Sequence, residues 1–266
     1  MNRLYCNNKS CYSKLLKFHT DTNTSSNDTL QGGKKKKDMK SKDKSKLKSK
    51  SNTDSEIEYK FYGIDTNILR KKLKQLKATM TRPKIIMPLI TFTHPTKIPD
   101  SYIRIRDEGN RITMTSKTNL KSEFVTEHEV VIDNFAQGVK LLKSLGCEKK
   151  YYVEKLRETW VLLDTEIVID SYPGTPEYAE IEGSKLADVK KVTRLLGLKP
   201  TKERYDIYYE TYGAPKDRKQ GGDLTFKNAL EKFDGMIFKN MDLFKKTLKE
   251  QQKYYDNFKF DINDIK

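Results

Sequence analysis

Long apolar runs are missing from this chain. Only 35% of its 266 residues are hydrophobic. No stretch approaches the roughly 20 consecutive apolar residues of a membrane-spanning helix, so neither an integral membrane protein nor a membrane partner is expected. The opening, MNRLYCNNKSCYSKLL, also lacks the apolar core of a secretory signal. Cysteine is scarce: Cys6, Cys11 and Cys147 cannot all pair, which points to a reducing, cytoplasmic setting. Cys6, Cys11 and His19 fall one ligand short of a structural zinc site. Acids are outnumbered, with 53 Lys and Arg against 37 Asp and Glu and a formal net charge of +16.

The excess is uneven. Residues 1–54 hold 14 Lys and Arg against five Asp, a net of +9, with almost no large apolar residue, so they cannot bury enough surface to fold. They read as a disordered Lys-rich tail, which leaves +7 on the remainder. The run from Lys34 to Lys50 has no interleaved aromatics to stack on bases. A solvated tail is the plain reading, with nuclear import or RNA contact as alternatives.

From Ser55 the pattern changes to period two. In Glu56-Ile57-Glu58-Tyr59-Lys60-Phe61 the odd positions are apolar and the even ones charged, so a strand there has one greasy and one fully charged face. The same habit recurs where Ile103 and Ile105 alternate with Arg104 and Arg106, and where Ile112 and Met114 alternate with Thr113, Thr115 and Lys117. Asp107-Glu108-Gly109-Asn110 between them has the composition of a hairpin turn. Further on, Glu127 and Glu129 oppose Val130 and Ile132, Lys155 and Arg157 oppose Leu156 and Trp160, and Glu166 and Asp170 oppose Ile167 and Ile169. Glu180 and Glu182 oppose Ala179 and Ile181. Solvated strand faces usually scatter serine, threonine and asparagine among their charges, and these have few.

A repeat underlies the pattern. Three times a Glu-x-Glu strand (Glu56/Glu58, Glu127/Glu129, Glu180/Glu182) is followed by one amphipathic helix. The first is capped by Asp65 with Leu69, Leu73 and Leu76 on one side; the second is opened by Asp133 and Asn134 with Phe135, Val139 and Leu142, and ends at Gly146. The third is expected to be capped by Ser184, with Leu186, Val189, Leu195 and Leu196 on its face and Gly197 as its stop. Those helices can bury their faces only on the apolar sides of the strands, so the charged sides must face one another. An α+β fold follows: a closed, eight-stranded antiparallel barrel, or tunnel, with a charged interior and helices packed outside. Such a lining is costly unless something charged and wet belongs inside.

Carboxylates two residues apart on a strand share a face at about 7 Å and can converge with neighbours on a hard cation. An oxygen donor set of this kind suits Mg²⁺ or Mn²⁺, which keep waters and share phosphate oxygens. Lys60, Arg104, Arg106, Lys117, Lys155 and Arg157 supply matching donors for a polyphosphate. Cations and metal-binding acids in one cavity describe phosphoryl transfer.

Glu56-x-Glu58-x-Lys60, YIRIRDEGNRITMTSK, Lys155-x-Arg157, Glu166 to Asp170 with the Pro173-Gly174 turn, and EYAEIEG resemble the signature of the CYTH domains. These include class IV adenylyl cyclases and thiamine triphosphatases within the triphosphate tunnel metalloenzymes. The resemblance implies an eight-stranded tunnel in which Glu56, Glu58, Glu129, Asp170, Glu180 and Glu182 hold one or two divalent metals, Mg²⁺ or Mn²⁺. It implies that Lys60, Arg104, Arg106, Lys117 and Arg157 grip a triphosphate, with Lys155 assisting, and that Glu58, Lys60, Arg157 and Glu182 stand at the reacting phosphate. Glu127 and Glu166 share the parity of this set. The strand after the first helix, KIIMPLITFTHP, carries no carboxylate where many relatives have one, so recognition of the thiamine moiety is not carried over. His94 and His128 fall outside the charged set and read as structural.

After residues 55–213, the tunnel domain, residues 214–266 form a turn-rich linker and an extension. Phe226, Leu230, Phe233, Ile237, Met241, Phe244 and Leu248 recur at helical spacing and predict one long helix. Its apolar stripe is expected to pack on the barrel, with a homodimer as the alternative. The expected activity is a metal-dependent triphosphatase. A cyclase making cyclic AMP and pyrophosphate from ATP, an RNA 5′-triphosphatase using the basic tail, and a non-catalytic polyphosphate or nucleotide-binding module are the alternatives.

Overall fold

The computed structural model describes residues 57–119, 125–201, 205–215, 222–258 and 260. The Lys-rich tail, Cys6, Cys11, His19 and Glu56 lie outside the described residues. Eight antiparallel strands form one sheet: β1 (Ile57–Phe61), β2 (Thr79–Thr93), β3 (Tyr102–Asp107), β4 (Ile112–Asn119), β5 (Val125–Ile132), β6 (Lys149–Leu162), β7 (Thr165–Ser171) and β8 (Tyr178–Gly183). Their order across the sheet is β1-β8-β7-β6-β2-β3-β4-β5.

The sheet is curled, but β1 and β5 are its two edges. Among the described residues no ladder closes β5 onto β1, so the full closure expected from the sequence is not present there. The edge of β1 is used differently: the Lys60 carbonyl accepts a hydrogen bond of 2.8 Å from Thr201 N, in the segment that follows the third helix.

Helices cover the outer face in three places. Helix α1 (Thr66–Gln75) is capped by Asp65, whose Oδ1 accepts from Asn67 N and Ile68 N, and α3 (Leu186–Leu196) lies in the same cluster. There Leu69, Leu73, Val189, Val192 and Leu196 bury against Phe61, Trp160, Ile167, Ile169, Ala179 and Ile181. Each such side chain contributes on the order of 1.5–3 kcal/mol. Helix α2 (Phe135–Ser144) is capped by Asn134 and buries Phe135, Val139 and Leu142 against Ile90, Phe92, Ile103, Ile105 and Tyr152.

Two sequence expectations for helices need correction. Helix α3 begins one residue later than a Ser184 cap requires, with Lys185 as its N-cap and no side-chain capping bond. Its buried stripe is Val189, Val192, Thr193 and Leu196, while Leu186 and Leu195 are exposed. The single long helix expected over Phe226 to Leu248 is instead two, α5 (Ala229–Lys232) and α6 (Met241–Gln252), followed by a 3-10 turn, Lys253–Asn257, while a short α4 (Ile207–Tyr212) precedes them. Gly235, at φ +72°, stands in the left-handed region and interrupts the helical run. Short pieces then fold Phe226, Phe233, Phe238, Phe244 and Leu248 around Ile86 and Leu156 of the sheet, and leave Leu230 and Ile237 exposed. The apolar stripe is thus covered largely within the chain.

Two outward-facing acids on β6 are buried under these layers. Glu154 accepts from Tyr152 OH, Phe226 N and Tyr255 OH, and Glu158 accepts from Arg70 and from Trp160 Nε1 at 2.6 Å. Satisfied in this way, each pins an outer element to the sheet. Among the described residues no helix is long and apolar enough to cross a membrane.

Candidate active site

The inner faces of the strands converge on one cavity of about 660 Å³. Strand register explains the order of its lining. On β1, β8 and β7 the inward residues form successive rows. Glu58 pairs with Glu182, which pairs with Glu166; Lys60 pairs with Glu180, which pairs with Val168; and Tyr178 pairs with Asp170. One side of the cavity therefore grades from carboxylates, through a mixed row, to aromatics. The other side is cationic. Arg104 and Arg106 from β3 and Lys117 from β4 line it, with Glu127 and Glu129 of β5 beside them.

Lys60 is the pivot of the acidic side. Its Nζ donates to Glu58 Oε1 at 2.5 Å and to Glu180 Oε1. Burial works against its proton, but Glu180 and Glu58 outweigh that and raise its pKa. Burial and the neighbouring Glu180 raise Glu58, against the pull of Lys60.

Lys155 and Arg157 of the lining form a buried triad with Asp170. Asp170 is fully buried and accepts from Arg157 Nε at 2.7 Å, Arg157 Nη2 at 2.5 Å and Lys155 Nζ at 2.6 Å. Burial and the adjacent Arg157 push Lys155 down to about 8 despite Asp170. Arg157 also donates to Glu180 at 3.2 Å, joining the triad to the acidic side.

On the cationic side, burial and then Arg104 and Arg157 lower Arg106, even with Glu108 and Glu129 close by. The Nε atoms of Arg82, Arg104 and Arg106 are buried without a hydrogen-bond partner in the structure. A buried donor left unpaired costs about 1–3 kcal/mol.

Residues 54–196 match the model of the CYTH domain, more than half of the chain. The chain belongs to the CYTH domain family. Among solved structures this CYTH protein is similar to a conserved hypothetical protein from Pyrococcus furiosus, at 24% identity, with 57% of this chain and 98% of that one covered and a TM-score of 0.48. A candidate adenylate cyclase from Vibrio parahaemolyticus is 13% identical over 60% of this chain and 98% of its own, with a TM-score of 0.51, a likeness of fold. A candidate adenylyl cyclase from Hippeastrum, with a dominant triphosphatase activity, is 15% identical over 56% of this chain and 91% of its own, with a TM-score of 0.36. No curated protein sequence matches the chain.

Of the residues that the sequence singles out, Glu58, Lys60, Arg104, Arg106, Lys117, Glu129, Lys155, Arg157, Glu180 and Glu182 all line the cavity, as do Glu127 and Glu166. Asp170 does not line it, and cations occupy both of its carboxylate oxygens. His94 contacts Thr96 and Ser116. The sequence reading missed Arg82, Glu108 and Arg111. Glu108 sits in the expected turn, yet it is only 2% exposed and takes ion pairs from Arg82, Arg106 and Arg111. Burial opposes its charge, but Arg106 and the other two guanidiniums bring its carboxyl down to about 2. Arg111 shares the parity of Thr113, Thr115 and Lys117, so extending the alternation by two residues finds it. Arg82 lies between two register shifts in β2, where parity is lost.

The donor set fits a hard divalent cation. Glu58, Glu182 and Glu166 face one another across three strands, with Lys60 as a counter-charge on Glu58. Every candidate ligand is a carboxylate oxygen, the chemistry of Mg²⁺ and Mn²⁺. Among the described residues no three of these side chains are already drawn together on one point.

Proposed function

We propose that this CYTH protein is a divalent-metal-dependent triphosphatase acting on an inorganic or organic triphosphate. The observation that carries the reading is the meeting, within one cavity, of the in-register carboxylate row Glu58-Glu182-Glu166 with the cations Arg104, Arg106 and Lys117. Arg104, Arg106 and Lys117 bind the triphosphate from one side, and Lys60, Lys155 and Arg157 from the other. The guanidinium forks fix its oxygens two at a time. Glu58, Glu129 and Glu182, with Glu166, hold Mg²⁺ or Mn²⁺, while Glu180, whose two oxygens accept from Lys60 and Arg157, orients those cations. When bound, the metal neutralises charge developing on the phosphate oxygens. Asp170 is a positioning residue that fixes Lys155 and Arg157, not a metal ligand.

In the hydrolysis, a water oxygen bonds to the terminal phosphorus as the bridging P–O bond breaks, and the bond's electron pair leaves on the diphosphate. The water's proton passes to a lining carboxylate.

The test is product identity. Purified protein is incubated with tripolyphosphate or ATP and Mg²⁺ or Mn²⁺, and the products are separated by chromatography. Phosphate release that stops on chelation supports the reading. Cyclic AMP and pyrophosphate from ATP would make the protein a cyclase instead. Ligand binding that survives chelation, with no product formed, would make it a binding module.

A further inference from the structure

One wall of the cavity is aromatic, and phosphate chemistry does not account for it. Tyr62 follows β1 on the parity of Glu58 and Lys60, Tyr172 follows Asp170 on β7, and Tyr178 opens β8 on the parity of Glu180. The fourth member, Tyr205, comes from the segment beyond α3, outside the matched region of residues 54–196. All four line the cavity. Tyr205 stacks on Tyr62 with ring centroids 4.1 Å apart and planes 11° apart. Tyr62 stacks on Tyr178 at 4.9 Å and 28°, and Tyr178 lies 6.3 Å from Tyr172 at 17°. The result is a fanned ladder of four rings, with Tyr205 as its terminal plate at one end.

The C-terminal extension holds this ladder from two sides. Thr201 N donates to the Lys60 carbonyl, two residues before Tyr62, and Asp206 caps α4 through Tyr208 N and Tyr209 N, so bonded residues stand on either side of Tyr205. From α4, Tyr208 OH donates to the Pro173 carbonyl at 2.9 Å, and Tyr212 OH donates to the Gly174 carbonyl. From α6, Gln251 Oε1 accepts from Gly174 N at 2.7 Å, while its Nε2 donates to Ser171 Oγ and to the carbonyls of Tyr172 and Thr175. The turn that carries Tyr172 is therefore fixed by two helices. Next to the ladder stand Lys60, Glu180, Asp170 and Arg157, whose charges are felt by Tyr62 or Tyr178. The stacking surface thus adjoins the cations that would hold phosphate.

We propose that the Tyr205-Tyr62-Tyr178-Tyr172 ladder is a stacking wall for the planar heteroaromatic ring of an organic triphosphate, and that Tyr205 is its specificity-determining plate. The assignment rests on the triphosphatase reading and narrows it from triphosphates in general to ring-bearing ones. A ring laid on the ladder places its phosphate chain toward Lys60 and Arg157, and inorganic tripolyphosphate leaves the wall unused. A nucleobase and the pyrimidine of thiamine share the required flat π-face, so both are probed.

The experiment measures kcat/KM for ATP, thiamine triphosphate and tripolyphosphate with Mg²⁺, in wild type and in Tyr205→Ala, Tyr205→Leu and Tyr205→Phe. Loss of one stacked ring lowers the ratio of ring-bearing to inorganic turnover roughly 5- to 100-fold in Tyr205→Ala, mainly through KM, and Tyr205→Phe restores it. Tyr205→Leu keeps the bulk without the π-face and gives the same loss, so it serves as the readout if the alanine variant does not fold. Whichever organic triphosphate shows the larger change identifies the ring. An unchanged ratio in both variants, with tripolyphosphate still hydrolysed, would overturn the stacking wall and leave the triphosphatase reading intact. No turnover of any of the three by wild type would overturn both.

Discussion

Removing the charge of Asp170 isolates the buried triad from the rest of the cavity. Asp170→Asn keeps the volume but replaces a carboxylate that accepts three bonds of 2.5–2.7 Å with a neutral amide. The amide's own N–H donors then face the donors of Lys155 and Arg157, two cations only 6% and 5% exposed. Breaking a buried ion pair by removing one partner costs about 3–5 kcal/mol, because the remaining charge stays desolvated. For a folded unit of this size each kcal/mol lowers Tm by about 2–4 °C, so a fall on the order of 6–20 °C is expected. Denaturant and thermal unfolding should be run with a chelator present, which separates the two roles open to this residue. A loss of this size without metal makes Asp170 the counter-charge that holds Lys155 and Arg157. A loss below about 1 kcal/mol in chelator, appearing only when Mg²⁺ is added, would refute that argument and make Asp170 a metal ligand.

Two further outcomes follow from the same geometry. Glu58→Gln and Glu182→Gln should abolish turnover of tripolyphosphate and be partly restored by raised Mn²⁺, since each keeps an oxygen ligand while losing its charge; rate against metal concentration is the readout. Lys155, held at about 8, has its folded pKa below the unfolded value near 10.5. Between those values the unfolded chain binds more protons, so this group makes stability rise with pH from about 8 to 10.5. Urea unfolding at pH 8 and pH 10 should show a larger gain for wild type than for Lys155→Met, and equal gains would show that Lys155 is not depressed.

Much of this arrangement was legible because strand parity is a strict code. Glu58, Lys60, Arg104, Arg106, Arg157 and Glu182 alternate with apolar residues, and a strand cannot place such neighbours on one face. Trp160 was expected on the outer face for the same reason and lies 3% exposed in the cluster with α1 and α3. The code failed where the chain leaves regular strand. Arg82 sits among register shifts, Glu108 is buried within its turn by three guanidiniums, and Tyr205 reaches the cavity from a segment with no strand parity. The C-terminal spacing was read correctly as apolar. Gly235 turned one helix into short pieces, a choice that periodicity alone does not reveal. Asp170 had the right parity, yet only coordinates show that Lys155 and Arg157 already occupy its oxygens.

The central claim, that the charged strand faces form an interior grip for a triphosphate, is tested most directly by calorimetric titration of tripolyphosphate into wild type and Arg106→Ala. Arg106 is largely buried, feels the charges of Arg104 and Arg157, and carries an unpartnered Nε. Its removal takes a bidentate donor from the ligand and should weaken binding by roughly 10- to 100-fold, the range for a charge-assisted hydrogen bond of about 1.5–3 kcal/mol. The titration is run with metal chelated, where no turnover consumes the ligand, and the carboxylate row is left intact in the variant. Wild-type affinity in Arg106→Ala would mean that the phosphate chain lies elsewhere and that this cavity is not the site.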